Sequence, residues 1–186
     1  KEISFAPPWR RLSVYDGIRE YAGIDPDTAS IDDLFKKAKS LGSEMKTPGT
    51  RAQIAMEIFD GAVEPALWQP TFVTDHPIEI SPLTKKHRTK PGHVERFEPV
   101  CAFMEIGNSY TELNDPEDQL ARLQEQEKQR LVDEEAQPMD EDFLHAIDTG
   151  MPPTGGVGIG LERIVMLLTD RPSIRDILLF PTMKKQ

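Results

Sequence analysis

The chain has 186 residues, 38% hydrophobic and 29% charged, ordinary proportions for a single globular domain with a core of its own. Its 22 basic and 32 acidic side chains give a formal charge of −10, which excludes a broad phosphate-neutralising surface and leaves room only for a local basic patch. The single Cys101 and the unpaired spacing of His76, His87, His93 and His145 exclude a disulfide framework and a thiolate zinc site. No apolar run has the length of a membrane span, and the start, KEISFAPPWRRLSVYDG, has no continuous apolar stretch of the kind a signal peptide needs. The expected setting is a reducing, cytoplasmic one without membrane contact. With no initiating methionine, the chain reads as a fragment.

In chain order, Ser13 with Asp16 three residues on predicts a capped helix over 13–22, with Val14, Tyr15, Ile18 and Tyr21 as its apolar positions. Ser30 and Asp33 repeat the signal for a second helix, whose Leu34, Ala38 and Leu41 share a face before Gly42 stops it. A third helix is predicted from about Thr50 to Leu67, burying Ile54, Ile58, Phe59 and Val63. After Trp68 the period changes: a strand is expected around Phe72, its flanking prolines suiting strand ends or edges. Two adjacent strands are expected over 94–103 and 104–112. Asp115-Pro116 then opens a charge-rich helix over about 116–134, with Leu120, Leu123 and Leu131 as a sparse apolar stripe suited to a solvated surface helix. Asp140 caps another helix that turns Phe143, Leu144 and Ile147 inward and ends at Gly150. A glycine-rich strand then runs into an apolar helix over 160–169, and an apolar segment over 177–180 follows. Helices first, then strands, then helix, strand, helix is an α+β order built around an antiparallel sheet, in one domain over 1–186.

Chemistry concentrates in two stretches. In GGVGIGLER the glycines let a ligand approach the backbone, and Arg163 projects from the first turn of the following helix, where anions are favoured; a guanidinium can fork phosphate oxygens or stack on a base. A tight glycine turn with Arg163 in a structural ion pair is the alternative, and the dinucleotide fingerprint does not fit. In the strand pair, Glu98 and Glu105 would repel unless a cation lay between them, and Mg²⁺ held also by nucleotide phosphates suits that role. Alternation places Asn108, Tyr110 and Glu112 on one face, an amide, a ring and a carboxylate fit for a small cationic ligand. Taken singly, each acid also reads as an edge-strand charge facing water.

In combination, PTFVTDHPIEISPLTKKHR, ERFE, MEIGNSYTELNDPEDQ and PPTGGVGIGLERIVMLLTDRPSIRDILLFP closely resemble, in this order, the C-terminal half of the catalytic domain of class II lysyl-tRNA synthetases. The likeness covers essentially the whole chain, and its most specific parts are EIGNSYTELNDP and the third class II signature, GIGLER. It implies part of the class II antiparallel sheet flanked by helices, ATP-dependent activation of lysine to lysyl-adenylate, and transfer to the acceptor end of tRNA(Lys). It implies Glu98 and Glu105 as ligands of a Mg²⁺ bridging the ATP phosphates. Asn108, Tyr110 and Glu112 would line a lysine pocket in which Glu112 pairs the ε-ammonium. Arg163 would contact the γ-phosphate and the adenine, and Gly158 and Gly160 would form an open floor.

The first and second class II signatures and the anticodon-binding domain of that family are absent, which makes an incomplete site the expectation. Three readings follow. The chain is the C-terminal catalytic part of a lysine–tRNA ligase, completed by the missing N-terminal half or a second synthetase chain. Otherwise it is a truncated paralogue that binds lysine, nucleotide or a partner without catalysis, or a ligase that moves lysine onto a translation-factor protein.

Overall fold

The computed structural model describes residues 2–130 and 140–182. Six strands form one sheet: β1 (Arg10–Ser13), β2 (Thr71–Thr74), β3 (Arg96–Cys101), β4 (Met104–Glu105), β5 (Gly107–Thr111) and β6 (Gly155–Ile159). Their spatial order is β1-β2-β3-β5-β6, with β4 pairing β3; β1 and β2 run parallel and every other pair antiparallel. The helices are α1 (Val14–Gly17), α2 (Ile31–Ser40), α3 (Arg51–Ile58), α4 (Pro116–Arg130), α5 (Glu141–Gly150) and α6 (Leu161–Thr169). This is the expected mixture of helices around a mainly antiparallel sheet, with one parallel pair at its edge. Among the described residues no helix is long and apolar enough to cross a membrane.

Local chemistry sets most helix starts. Ser13, Ser30 and Thr50 each accept a hydrogen bond from a backbone N–H three residues on, and Thr50 forms a full capping box with Gln53. The carboxylate of Asp115 accepts from the N–H groups of Glu117 and Asp118 at 3.1 and 3.2 Å, with Pro116 at the first helical position. The predicted 13–22 helix is present, starting from its Ser13 cap, but changes pitch along its length. Residues 10–13 are a strand beside β2, and past Gly17 the coil widens into a π-turn over Ile18–Ala22. That turn buries Ala22 and leaves Tyr21 at the surface, where it accepts a hydrogen bond from Arg10 at 2.8 Å. The predicted third helix is continuous but changes pitch, from α3 through a π-turn at Phe59–Val63 to a 3-10 turn at Glu64–Ala66 that accommodates Pro65.

The core lies where these helices cover the β1–β2 side of the sheet. Leu12, Val73 and Val100 come from strands, and Ile18, Leu34, Ile54, Ile58 and Val63 come from the helical layer. The same sheet face continues past β3, and there the polar residues gather. On the opposite face Phe72 meets Trp9 and Phe97 at ring separations of 5.1 and 5.5 Å.

Elsewhere the apolar pattern is only partly buried. Leu123 and Ile147 are buried, whereas Leu120 and Phe143 stay exposed on α4 and α5; Leu131 lies outside the described residues. The segment predicted as apolar at 177–180 is neither strand nor core, and Leu179 and Phe180 are 90% and 94% exposed.

Candidate active site

The centre of the site is a one-residue irregularity between β3 and its partners. Val100 opposes Glu105, whereas Arg96 opposes Tyr110. The five residues from Arg96 to Val100 therefore match six from Glu105 to Tyr110, which is a β-bulge. It falls at Ile106–Gly107, where the Ile106 N–H donates to the Pro99 carbonyl at 2.8 Å. Pro99 lacks a ladder donor of its own, so it suits this interruption. Directly opposed residues of an antiparallel pair share a face. The extra residue therefore turns Glu105 onto the face of Asn108, Tyr110, Arg96 and Glu98. Strict alternation would have sent Glu105 to the other side.

On that face Arg96 is the organiser. Its Nη2 donates to Glu98 Oε1 at 2.5 Å, its Nε to Asn108 Oδ1 at 3.2 Å and its Nη1 to Ser81 Oγ at 3.0 Å. The other carboxylate oxygen of Glu98 lies 3.2 Å from Nε2 of His76, which is 1% exposed. An ionised carboxylate only accepts, so that nitrogen carries the proton. Burial pushes the Glu98 carboxyl upward, but the His76 hydrogen bond and the charges of His76 and Arg96 outweigh it and hold Glu98 below the ordinary range. Glu105 goes the other way. Burial and then the charge of Glu98 raise it, against the opposing pull of Arg163 and Arg96.

Arg163 occupies the first turn of α6, capped by Gly160, and reaches back to β4. Its Nη1 donates to the Glu105 carbonyl and lies 3.6 Å from the Glu105 carboxylate. Glu105, Asn108, Gly158, Gly160 and Arg163 border one cleft of about 330 Å³. Tyr110 sits further along β5 and Glu112 just past its end, both beside Gly156 of β6. Glu112 is half-buried, its carboxyl raised by burial, and that carboxylate has no ionic or hydrogen-bonding partner among the described residues. Burial and then the Glu112 charge raise the Tyr110 hydroxyl.

Two further acids approach from the end of the third helix. Asp60 keeps solvent contact, yet burial followed by Glu64, Glu57 and Glu98 pushes it up to about 6. Glu64 is raised by burial, then by Glu98 and Glu105. Among the described residues no three or more Cys, His, Asp or Glu side chains are arranged to hold a metal by themselves. The donor set nevertheless fits a hard cation that keeps water and phosphate ligands. Glu98 and Glu105 present carboxylates on one face, and each oxygen of Glu98 retains a lone pair beyond its existing bond.

The structure thus brings Glu98, Glu105, Asn108 and Arg163 into one neighbourhood and sets Tyr110 and Glu112 beside it. Sequence reading missed Arg96, His76, Asp60, Glu64 and Gly156. Arg96 was detectable, since RFE puts it two residues from Glu98 on the same strand face. Nothing local marks the others, which arrive from elements distant in sequence.

Residues 1–184 match the family described as tRNA synthetases class II (D, K and N). The chain is 49% identical over 185 residues to a lysine–tRNA ligase of Thermoanaerobacter pseudethanolicus, covering 98% of this chain and 37% of that protein. It is 48% identical over 184 residues to the lysine–tRNA ligase of Moorella thermoacetica, covering 98% and 38%. It is likewise 48% identical over 190 residues to that of a Synechococcus species, covering 100% and 38%. The chain therefore spans little more than a third of the length of the curated relatives it matches. With nearly every residue inside the matched region, the chain belongs to the class II tRNA synthetase family of the D, K and N type.

Proposed function

We propose that this chain forms the lysine- and metal-binding wall of a lysine–tRNA ligase active site, working with a longer protein of which it is part. The observation that carries the reading is the bulge, which gathers Glu98, Glu105, Asn108 and Tyr110 on one sheet face with Arg163 beside Glu105. Glu112, half-buried and with its carboxylate unpaired among the described residues, offers its charge to a substrate ammonium, worth most where water is partly excluded. Asn108 and Tyr110 border the aliphatic part of the ligand, and Arg96 holds the Asn108 amide with its oxygen turned inward.

Glu98 and Glu105 would hold Mg²⁺, which when bound supplies charge neutralisation for the nucleotide phosphates. Arg163 adds a fixed cation for the terminal phosphate, at a helix start that favours anions. Activation, in which the lysine carboxylate attacks the α-phosphorus and pyrophosphate leaves, asks these residues for alignment and charge stabilisation. It asks none of them for a nucleophile or general base. Transfer to the tRNA(Lys) acceptor end would follow in the longer protein, in the cytoplasm.

The test is lysine-dependent ATP–pyrophosphate exchange by the chain alone, by the chain mixed with the preceding part, and by the longer protein. Calorimetric lysine titration of Glu112→Gln accompanies it. Exchange is expected in the longer protein, and lysine affinity should fall at least about 30-fold in the variant, as for a charge pair losing one member. Unchanged lysine affinity in Glu112→Gln, or exchange equally supported by other amino acids, would sink the assignment.

A further inference from the structure

The glycines of β6 are not equivalent. A Cβ on Gly155 or Gly158 would meet only backbone oxygens at 4.0 and 3.8 Å, an ordinary contact. A Cβ on Gly156 would come within 2.2 Å of the Glu112 Oε1 and 3.4 Å of its Cδ. The φ of Gly156 lies outside the left-handed region, so its backbone does not call for glycine. Space does.

The main chain around Glu112 is fixed independently. Its N–H donates to the Thr154 carbonyl at 3.0 Å, and the Leu113 N–H donates to the Leu83 carbonyl at 3.0 Å. Gly156 is fixed too, since its carbonyl accepts from Ser109 Oγ at 2.8 Å. With both backbones anchored and no side chain among the described residues bonded to the Glu112 carboxylate, what sets the depth of that carboxylate is the bare Cα beneath it. The colliding atom is the free end of a flexible side chain, so an added methyl displaces Glu112 and leaves the sheet intact.

We propose that Gly156 is a positioning residue that sets where the Glu112 carboxylate stands and hence how well the site holds an ammonium-bearing side chain. The inference rests on the reading of Glu112 as the ammonium partner. The experiment uses the longer protein and compares Gly156→Ala, Glu112→Asp and the double variant, with Glu112→Gln as the control for that reading. Gly156→Ala is expected to weaken lysine binding by calorimetry roughly tenfold or more. It should raise the lysine KM in pyrophosphate exchange while ATP affinity and Tm stay at parent values. Shortening the acid by one methylene clears the added methyl, so the double variant should bind lysine more tightly than Gly156→Ala alone.

Parent-like lysine affinity in Gly156→Ala overturns the proposal. So does a joint fall of lysine affinity, ATP affinity and Tm, or a double variant no better than Gly156→Ala. If Glu112→Gln itself binds lysine normally, the underlying reading fails and the inference with it. If Glu112→Gln loses lysine while Gly156→Ala does not, only the positioning role is lost.

Discussion

Two acids close together in sequence, Glu98 and Glu105, have their carboxyls shifted in opposite directions, Glu98 down and Glu105 up. Glu98 has His76 and Arg96 on its two oxygens and stays readily ionised; Glu105 has Glu98 as a neighbour and a more distant Arg163. Asp60 extends the contrast and gives a measurable consequence. Its carboxyl is raised from 3.8 to about 6 by burial and then by Glu64, Glu57 and Glu98. Between those values the folded state binds more protons than the unfolded state, so stability falls as pH rises through this window and stays lower above it. Asp60→Asn removes that cost. In urea unfolding without divalent cations it should be more stable than the parent at pH 7 by about 1 kcal/mol, allowing for the solvent contact of Asp60. The advantage should vanish near pH 4. A constant difference across that range would show that the Asp60 charge is not what matters.

At the scale of elements, the bulge and the glycine-rich strand do different work. A Cβ on Gly107 would lie 2.8 Å from the Gly158 carbonyl and 3.4 Å from Pro99, both in the sheet itself. That backbone has nowhere to go, so Gly107→Ala should destabilise by about 2 kcal/mol, measured by denaturant midpoint at unchanged slope. Gly158→Ala meets only ordinary contacts and should change stability by no more than about 0.5 kcal/mol, while its methyl enters the cleft. Equal costs at the two positions would mean that the register inferred at the bulge is not what constrains Gly107. The capped helices illustrate the easier case. Ser13, Ser30, Thr50 and Asp115 bond their own next turn, so their positions can be read from a few consecutive residues. The bulge cannot be read that way, because it depends on how β3 aligns with two other segments.

Across the whole molecule, burial is lopsided. The helical layer seals the β1–β2 side, while β6 and α6 expose Val157 (70%), Leu161 (68%) and Leu168 (76%), and the segment after them exposes Phe180 (94%). Large apolar side chains this exposed favour contact with other apolar surface. The chain on its own is therefore expected to bind the dye ANS and to self-associate as concentration rises. Leu168→Glu with Phe180→Glu should reduce both, by fluorescence and by light scattering coupled to size exclusion. No change on that double substitution would place the sticky surface elsewhere. Phe143, predicted to turn inward on α5, is likewise left exposed. Apolar spacing reports which face is greasy, and only neighbouring elements determine whether anything covers it.

The amino-acid sequence by itself determined the local structure and the chemical inventory. Caps and proline placed the helices, alternation grouped Asn108, Tyr110 and Glu112, and the order of motifs indicated the family. These are effects of bonds and sterics within a few residues. Tertiary structure alone decided the rest. Pairing between β3, β4 and β5 turned Glu105 onto the working face. Distant segments delivered His76 and Asp60 to the acids, and β6 laid Gly156 under Glu112. Hydrogen-bond register and side-chain clearance between segments remote in the chain are set by packing, which no short stretch of residues encodes.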